Sequence, residues 1–395
     1  MTSVVLSLAF HTWADGVPRQ MSWSPDRVAQ QLCDDPTVDT LLVADPLRSQ
    51  LARLRRRAVA PDEGFPAGPS RRFVQPRRWR RGDTHDRAGS TRAYQRLDRW
   101  LADRNEEAGW PQAVLVTCHP VLAAVADRSR WADVVYYGWD DWLTYPPMAA
   151  ARDLMAWSYA EMATRDVKVV GVTQAIVDRV GASRSAVVPN GISLADYASP
   201  AQTPDWFEAV EKPVAFYAGA MEDRVDVEAL EDLARDLPDW SLVLVGHMQD
   251  PTRFERLLQQ PNVVFHELQP RPEVLAMMAA ADVCLVPHRR TPMSVAMSPL
   301  KLYEYLAAGA PVVAADLEPM RGVSDRCLLV EPGARLAPTV RRAAQLPRAT
   351  ADEIARFRGD NDWSSRYRDW AAAALGTPRT PGRAGDGHLP LRRGA

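Results

Sequence analysis

The feature that most constrains this 395-residue chain is a rhythm. Short apolar runs recur, and each is followed by a stretch with helical spacing of its apolar residues. In the first half, residues 3–10, 38–44, 112–118, 133–137, 168–172 and 186–189 read as strands. Helical patterns fall among them: Ser24-Pro25-Asp26 opens one ending near Cys33, and Tyr94, Leu97, Trp100 and Leu101 form the stripe of a second. Residues 148–162 and 174–180 supply two more. Strand, helix, strand in succession predicts a parallel sheet, because parallel neighbours need a crossover between them. The rhythm stops at residues 199–212, where Pro200, Pro204 and the following Pro213 mark a linker. It then restarts, with strands at 214–218, 241–245, 263–266, 283–286, 311–314 and 327–330. The expectation is an α/β chain of two Rossmann-like doubly wound domains facing each other across a cleft. Residues 1–198 form the first and 213–349 the second; 350–375 are helical and precede a disordered tail, 376–395. Ligands of such sheets gather beyond the carboxyl ends of the strands, so strand ends are where chemistry is sought.

Bulk properties narrow the partners. A net charge of -2 offers no global basic field for nucleic acid. Cys33, Cys118, Cys284 and Cys327 are widely spread, without a CxxC pair, and read as reduced thiols of a cytosolic protein. The first ten residues lack a basic leader and a cleavage site, so they read as a first strand rather than a signal peptide. No apolar run approaches the roughly 18–20 residues of a membrane span, which limits a membrane role to peripheral contact. Residues 53–81 hold a concentration of arginine among Pro and Gly. Their composition suits a solvated loop, or a cationic patch for anionic headgroups or an acceptor phosphate.

Five stretches fall where this architecture places its ligands. Ser298-Pro299-Leu300-Lys301-Leu302-Tyr303-Glu304-Tyr305 predicts a helix with Ser298 as N-cap and Pro299 in the first position. Its amino end favours a diphosphate, Lys301 adds charge, and Glu304 can accept from a ribose diol. Of the 48 cationic side chains only Lys168, Lys212 and Lys301 are lysines, which makes Lys301 conspicuous. Gly219 to Arg224 follow a strand; the glycine permits close approach to the backbone, and Arg224 can grip a phosphate. His119 ends another strand and could bond a sugar hydroxyl or leaving phosphate. Asp140-Asp141, flanked by Trp139 and Trp142, could act on a sugar or cap a turn. Trp13 to Gly16 form a loop that could line an acceptor groove. No GxGxxG, GxSxG or P-loop occurs, which disfavours dinucleotide, serine-hydrolase and P-loop chemistry. No DxD triplet sits at Asp140-Asp141, and no metal is inferred.

Ser298–Val313, with its Ser-Pro-x-Lys-x-x-Glu-Tyr-x-Ala-x-Gly-x-Pro-Val-Val pattern, resembles the retaining, nucleotide-sugar-dependent glycosyltransferases of GT-B fold. This large group includes bacterial polysaccharide and glycolipid enzymes. Val188-Pro189-Asn190-Gly191-Ile192, Tyr217-Ala218-Gly219-Ala220 and the stretch Tyr136 to Trp142 are similar to other parts of the pattern. The resemblance implies a UDP or GDP sugar as donor substrate, with no bound cofactor and no metal, and a last helical segment, 350–375, that crosses back to the first domain. It implies donor binding by Gly219, Arg224, Ser298, Lys301 and Glu304, with Glu304 on the ribose. Catalytic roles fall to His119, Arg224 and Lys301, and acceptor-side positions to Trp13, Gly16, Asp140 and Asp141. The chain departs from the pattern at Ala296, where many members carry a glutamate, and at Ala229, where many carry a lysine. The expected function is metal-independent sugar transfer with retention to a hydroxyl acceptor: a sugar, lipid-linked glycan or small molecule. It is set in the cytoplasm, with a possible peripheral site at the inner membrane face. The alternatives are a non-catalytic GT-B subunit that binds a sugar nucleotide or a partner, and a sugar-nucleotide epimerase.

Overall fold

The structure is a computed structural model and describes residues 2–50, 62–79, 85–198 and 201–376. The arginines of residues 53–57, Arg80 and Arg81, and the tail expected to be disordered, beyond Gly376, lie outside the described residues. Contacts divide the chain into two units: Met1–Pro189 with the chain from Arg366 onward, and Asn190–Ser365.

Unit 1 is built on β1 (Thr2–Ser7), β2 (Val38–Ala44), β3 (Arg71–Val74), β4 (Val114–Thr117), β5 (Asp133–Gly138), β6 (Lys168–Gly171) and β7 (Ser185–Val187). They form one parallel sheet in the order β3-β2-β1-β4-β5-β6-β7. Helices α1 (Ser24–Asp34), α2 (Arg87–Glu107), α3 (Pro120–Val125), α4 (Arg152–Thr164) and α5 (Gln174–Val180) make the crossovers. Val4, Val5 and Leu6 of β1 are all buried, as the centre of a sheet covered on both faces requires.

Unit 2 repeats the plan. Strands β8 (Val214–Ala218), β9 (Ser241–Val245), β10 (Val263–His266), β11 (Val283–Val286), β12 (Val312–Ala315) and β13 (Cys327–Val330) lie parallel in the order β10-β9-β8-β11-β12-β13. Helices α6 (Val227–Asp236), α7 (Pro251–Leu258), α8 (Arg271–Ala280), α9 (Leu300–Ala307), α10 (Ala337–Ala344) and α11 (Ala351–Asn361) surround them, and α12 (Trp363–Leu375) follows. Both units are thus Rossmann-like, as the strand rhythm predicts.

Three local expectations are corrected. The arginine-rich segment is not loop throughout: Arg71–Val74 is the edge strand β3, paired with Leu41–Ala44. The Arg71 guanidinium donates to the carbonyls of Cys33, Asp35, Val38, Asp39 and Ser70, at 2.8–3.4 Å. It satisfies carbonyls at the end of α1, a use that composition does not reveal.

The helix expected over 350–375 breaks at Asp362. Asp362 accepts from the Ser365 amide at 2.8 Å, and Ile192 bridges the neighbouring backbone on both sides. A side-chain cap therefore starts a second helix. Phe357 of α11 stacks on Tyr303, whereas Trp370 of α12 meets Tyr137 edge-on and Tyr367 donates to Asp35 at 2.7 Å.

The third correction is at α9, which begins at Leu300 with Pro299 as its N-cap. Ser298 does not cap the helix. Its hydroxyl oxygen accepts from the Asn190 amide at 3.1 Å, which draws the Asn190-Gly191 turn onto the loop before α9.

Candidate active site

In unit 2 the site starts from the carboxyl end of β8. Tyr305 of α9 is buried, accepts from the Ala218 amide at 2.9 Å and donates to the Ala218 carbonyl at 3.3 Å. That bond pair fixes α9 against the strand end and sets Lys301 over Gly219. A Cβ on Gly219 would collide with Cε and Nζ of Lys301, and the glycine φ is +148°. Gly219 is therefore required twice, for its backbone conformation and for the space that Lys301 occupies.

The loop after Gly219 brings in Arg224. Its Nη2 lies 3.2 Å from Glu222 Oε2, and its Nε is buried without a hydrogen-bond partner among the described residues. His288, two residues past β11, is also buried, and its Nε2 has no partner among them either. Burial, with the charges of Lys301 and Arg224, pushes His288 down to about 3, so it is neutral at physiological pH. Burial and the Arg224 charge push Lys301 down from 10.5 to about 8, against the pull of Glu304 and Glu222. The charges of Lys301 and Arg224, beside the buried nitrogens Arg224 Nε and His288 Nε2, form an arrangement that suits an anion.

Glu304 lies one turn along α9. Its Oε1 accepts from Arg271 Nη2 at 2.8 Å, and Arg271 also reaches Asp196. Two amides in the first turn of α9, those of Leu300 and Leu302, are taken by the carbonyls of Ser298 and Pro299. The cationic side chains therefore carry more of any anion binding than the expected helix end does. Gly219, Arg224, Lys301 and Glu304 thus come together, and Ser298 shapes the loop behind them.

The first-unit candidates divide. His119 is buried; Nδ1 accepts from the Val121 amide at 3.2 Å, and Nε2 is 2.7 Å from Tyr94 Oη. It caps α3 with one nitrogen and is held by α2 with the other. Asp141 is buried and accepts from the Leu143 amide, Thr144 Oγ1 and Arg179. Asp140 is half-buried and accepts from the Asp141 amide at 2.8 Å. Trp13 to Gly16, expected as a loop, form a one-turn helix capped by Thr12; Trp13 is buried, with its amide on Asp45 and its indole N–H on the Glu63 carbonyl, both at 2.9 Å. A Cβ on Gly16 would fall 2.5 Å from the sulfur of Met21 and 3.3 Å from Asp26 Oδ1.

Residues 212–346 match the family model described as Glycosyl transferases group 1. Unit 2 carries a glycosyl transferases group 1 domain. A Bacillus subtilis (strain 168) protein, provisionally named teichuronic acid biosynthesis glycosyltransferase TuaH, is 32% identical over 143 residues. That match spans 35% of this chain and 36% of the relative's length. Solved structures share the fold across nearly the whole chain. Sucrose-phosphate synthase from Thermosynechococcus elongatus covers 95% of this chain and 99% of its own, with a TM-score of 0.61 at 16% identity. HepE of Anabaena in complex with UDP and glucose covers 95% and 100%, with 0.62 at 16%. An E. coli protein described as trehalose-6-phosphate bound with UDP-2-fluoro glucose covers 96% and 100%, with 0.65 at 12%. The fold is GT-B.

In the group 1 domain, sequence reasoning missed His288, Glu222 and Arg271. His288 had a signal, since it follows a strand end, as His119 does. Arg271 had none, because its partners Asp196 and Glu304 are distant in sequence. In unit 1 the missed group is a cluster around Asp26. Asp26 accepts from His11 Nε2 at 3.0 Å and from Arg19 Nε at 2.9 Å, while Trp23 stacks on Trp139 at 5.8 Å.

Proposed function

We propose that this protein transfers a sugar from a nucleoside diphosphate sugar to a hydroxyl acceptor, with retention of anomeric configuration. The observation that carries this reading is the cationic cluster of Lys301 and Arg224 above Gly219, with the Glu304 carboxylate one turn away. A diphosphate would meet Lys301 and Arg224 and satisfy the orphaned Arg224 Nε. Glu304 would accept from the ribose hydroxyls. Gly219 leaves the space in which Lys301 lies, and Ser298 holds the loop before α9 in place.

In the reaction the bond from the anomeric carbon to the diphosphate oxygen breaks, and a bond to the acceptor oxygen forms on the same face. The acceptor proton passes to an oxygen of the departing phosphate. Lys301 and Arg224 stabilise the charge that develops there, so the positive charge required comes from side chains. From unit 1, the resemblance would assign His119 to the donor sugar and Trp13, Gly16, Asp140 and Asp141 to the acceptor. Of these, Asp141 acts by shaping the turn that presents Asp140. The setting is polysaccharide, glycolipid or glycoside synthesis in the cytoplasm, with peripheral contact to the inner membrane face through the arginine-rich segment. Among the described residues, no helix is long and apolar enough to cross a membrane.

The test is a thermal-shift panel of nucleotides followed by transfer assays. UDP is the first nucleotide to try, since HepE and the E. coli neighbour were solved with UDP or a UDP sugar. A preferred nucleotide should raise Tm by mass action, and Arg224→Ala should abolish both the shift and transfer. No shift and no transfer with any common nucleotide sugar would overturn the reading. A second reading, a binding subunit without turnover, draws on Ala296, which is buried where many members carry a glutamate. Tight nucleotide binding without transfer or donor hydrolysis would favour it.

A further inference from the structure

Unit 1 holds a cavity of about 560 Å³ that the site above does not use. Its volume lies in the ordinary range for ligand sites, roughly 300–1,000 Å³. Four arginines line it: Arg77 and Arg78 from the segment after β3, and Arg92 and Arg96 from successive turns of α2. Among the described residues, no carboxylate lines it. Leu47 and Leu97 supply apolar wall, and the indole of Trp79 stands beside it, 79% exposed.

Two observations make this more than a solvated basic face. First, α2 carries Arg87, Arg92 and Arg96 with no carboxylate of its own between the Asp86 cap, which accepts from the Gly89 amide, and Asp98. Arg92 and Arg96 make no ion pair with a described carboxylate, although exposed arginines elsewhere in this chain do, such as Arg104 with Glu107 and Arg335 with Asp236. Second, the cavity is wired to the Trp13–Gly16 segment read as acceptor-side. Arg77 donates to Gln75 Oε1; Gln75 Nε2 donates to Asp45 at 2.9 Å; Asp45 accepts from the Trp13 amide at 2.9 Å. On the same turns of α2, Tyr94 holds His119.

We propose that this cavity binds the phosphate or diphosphate ester of the acceptor, so that the acceptor is a phosphorylated molecule. Planar guanidinium forks suit phosphate oxygens, and the apolar wall with Trp79 suits the group the phosphate carries. The word acceptor rests on the glycosyltransferase reading; the anion site does not.

The test uses the full chain saturated with UDP, so that the unit 2 cluster is occupied, and titrates inorganic pyrophosphate calorimetrically. Wild type should bind, and Arg92→Gln/Arg96→Gln should bind at least about tenfold more weakly. Arg92→Lys/Arg96→Lys should fall between them, and Arg224→Ala without UDP should keep this site. Vesicle flotation then separates the sources. Phosphatidylglycerol vesicles that carry wild type but not the Gln double variant, with phosphatidylcholine vesicles carrying neither, identify a lipid phosphate. Pyrophosphate binding without flotation identifies a soluble one. The proposal is overturned if pyrophosphate binds only in competition with UDP, or if the Gln double variant binds it like wild type. Loss of UDP binding with this site intact would overturn the donor reading alone.

Discussion

Lys301 lies across the backbone of Gly219, in the space a side chain would need, and the glycine sits at φ +148°. Gly219→Ala should therefore act twice. It should lower stability by about 1–3 kcal/mol through backbone strain, and it should push Lys301 off the strand end. If Lys301 stabilises the leaving diphosphate, transfer should fall by about 100-fold. Thermal unfolding and kcat/KM measured together decide this; a stability loss with normal turnover would deny Lys301 its role.

The lowered pKa of Lys301 sets a pH signature. A lysine held at about 8 is part neutral at pH 8–9 in the free protein, whereas a bound diphosphate would restore its charge. Binding should then take up protons, and affinity should fall as pH rises from 7 to 9, by roughly tenfold. Calorimetry of UDP binding in two buffers of different ionisation enthalpy measures the uptake. Lys301→Met should bind more weakly and lose the pH dependence. Proton release, or a flat profile in wild type, would refute the assignment.

Glu304 is tied to Arg271 at 2.8 Å, and a ribose would have to share its carboxylate. Wild type should favour UDP over 2′,3′-dideoxyuridine diphosphate by about tenfold, the worth of a hydrogen bond to a charged group. Glu304→Ala should bind both equally. If the variant still prefers UDP, the ribose is held elsewhere.

Asp45 provides a stability test in unit 1. It is buried, and despite bonds from the Trp13 amide and Gln75, burial raises it from 3.8 to about 6. The folded state therefore holds a proton that the unfolded chain has lost between those values. That contribution is full below pH 3.8 and disappears as pH rises through about 6. Asp45→Asn keeps an acceptor for the Trp13 amide and has no such loss. Its stability relative to wild type should grow by about 2–3 kcal/mol between pH 4 and pH 7. Chemical denaturation across that range reports the difference, and a constant difference would mean that Asp45 titrates normally.

Much of the fold was legible because parallel strands are short, apolar and separated by helices. Val214–Ala218, Ser241–Val245 and Val283–Val286 lie where their composition puts them. Arg71–Val74 was not legible, since its pairing with β2 and the carbonyls around Arg71 depend on residues some 30 positions away. The site was half legible for the same reason. Lys301 and Glu304 share one helix, and Gly219 and Arg224 share one loop, so spacing shows them. His288 and Arg271 enter through tertiary packing, and the neutral state of His288 follows from charges that sequence does not place beside it.

The pair Asp140-Asp141 shows what adjacency in sequence conceals. Asp141 is buried against Arg179 and two further donors, Leu143 N and Thr144 Oγ1, whereas Asp140 is half-buried and accepts the Asp141 amide. Removing one partner of a buried ion pair leaves the other uncompensated, at about 3–5 kcal/mol. Arg179 is partly exposed, which places the cost of Asp141→Ala toward the lower end. Asp140→Ala loses one backbone hydrogen bond, about 1 kcal/mol. Turnover should rank the other way if Asp140 meets the acceptor: Asp140→Asn should lower kcat with Tm nearly unchanged, while Asp141→Asn should lower Tm first. Thermal unfolding and transfer rates on both variants separate the roles. Equal Tm losses would mean that both carboxylates serve the turn, and the acceptor side would then rest on the aromatic and arginine-lined surfaces of unit 1.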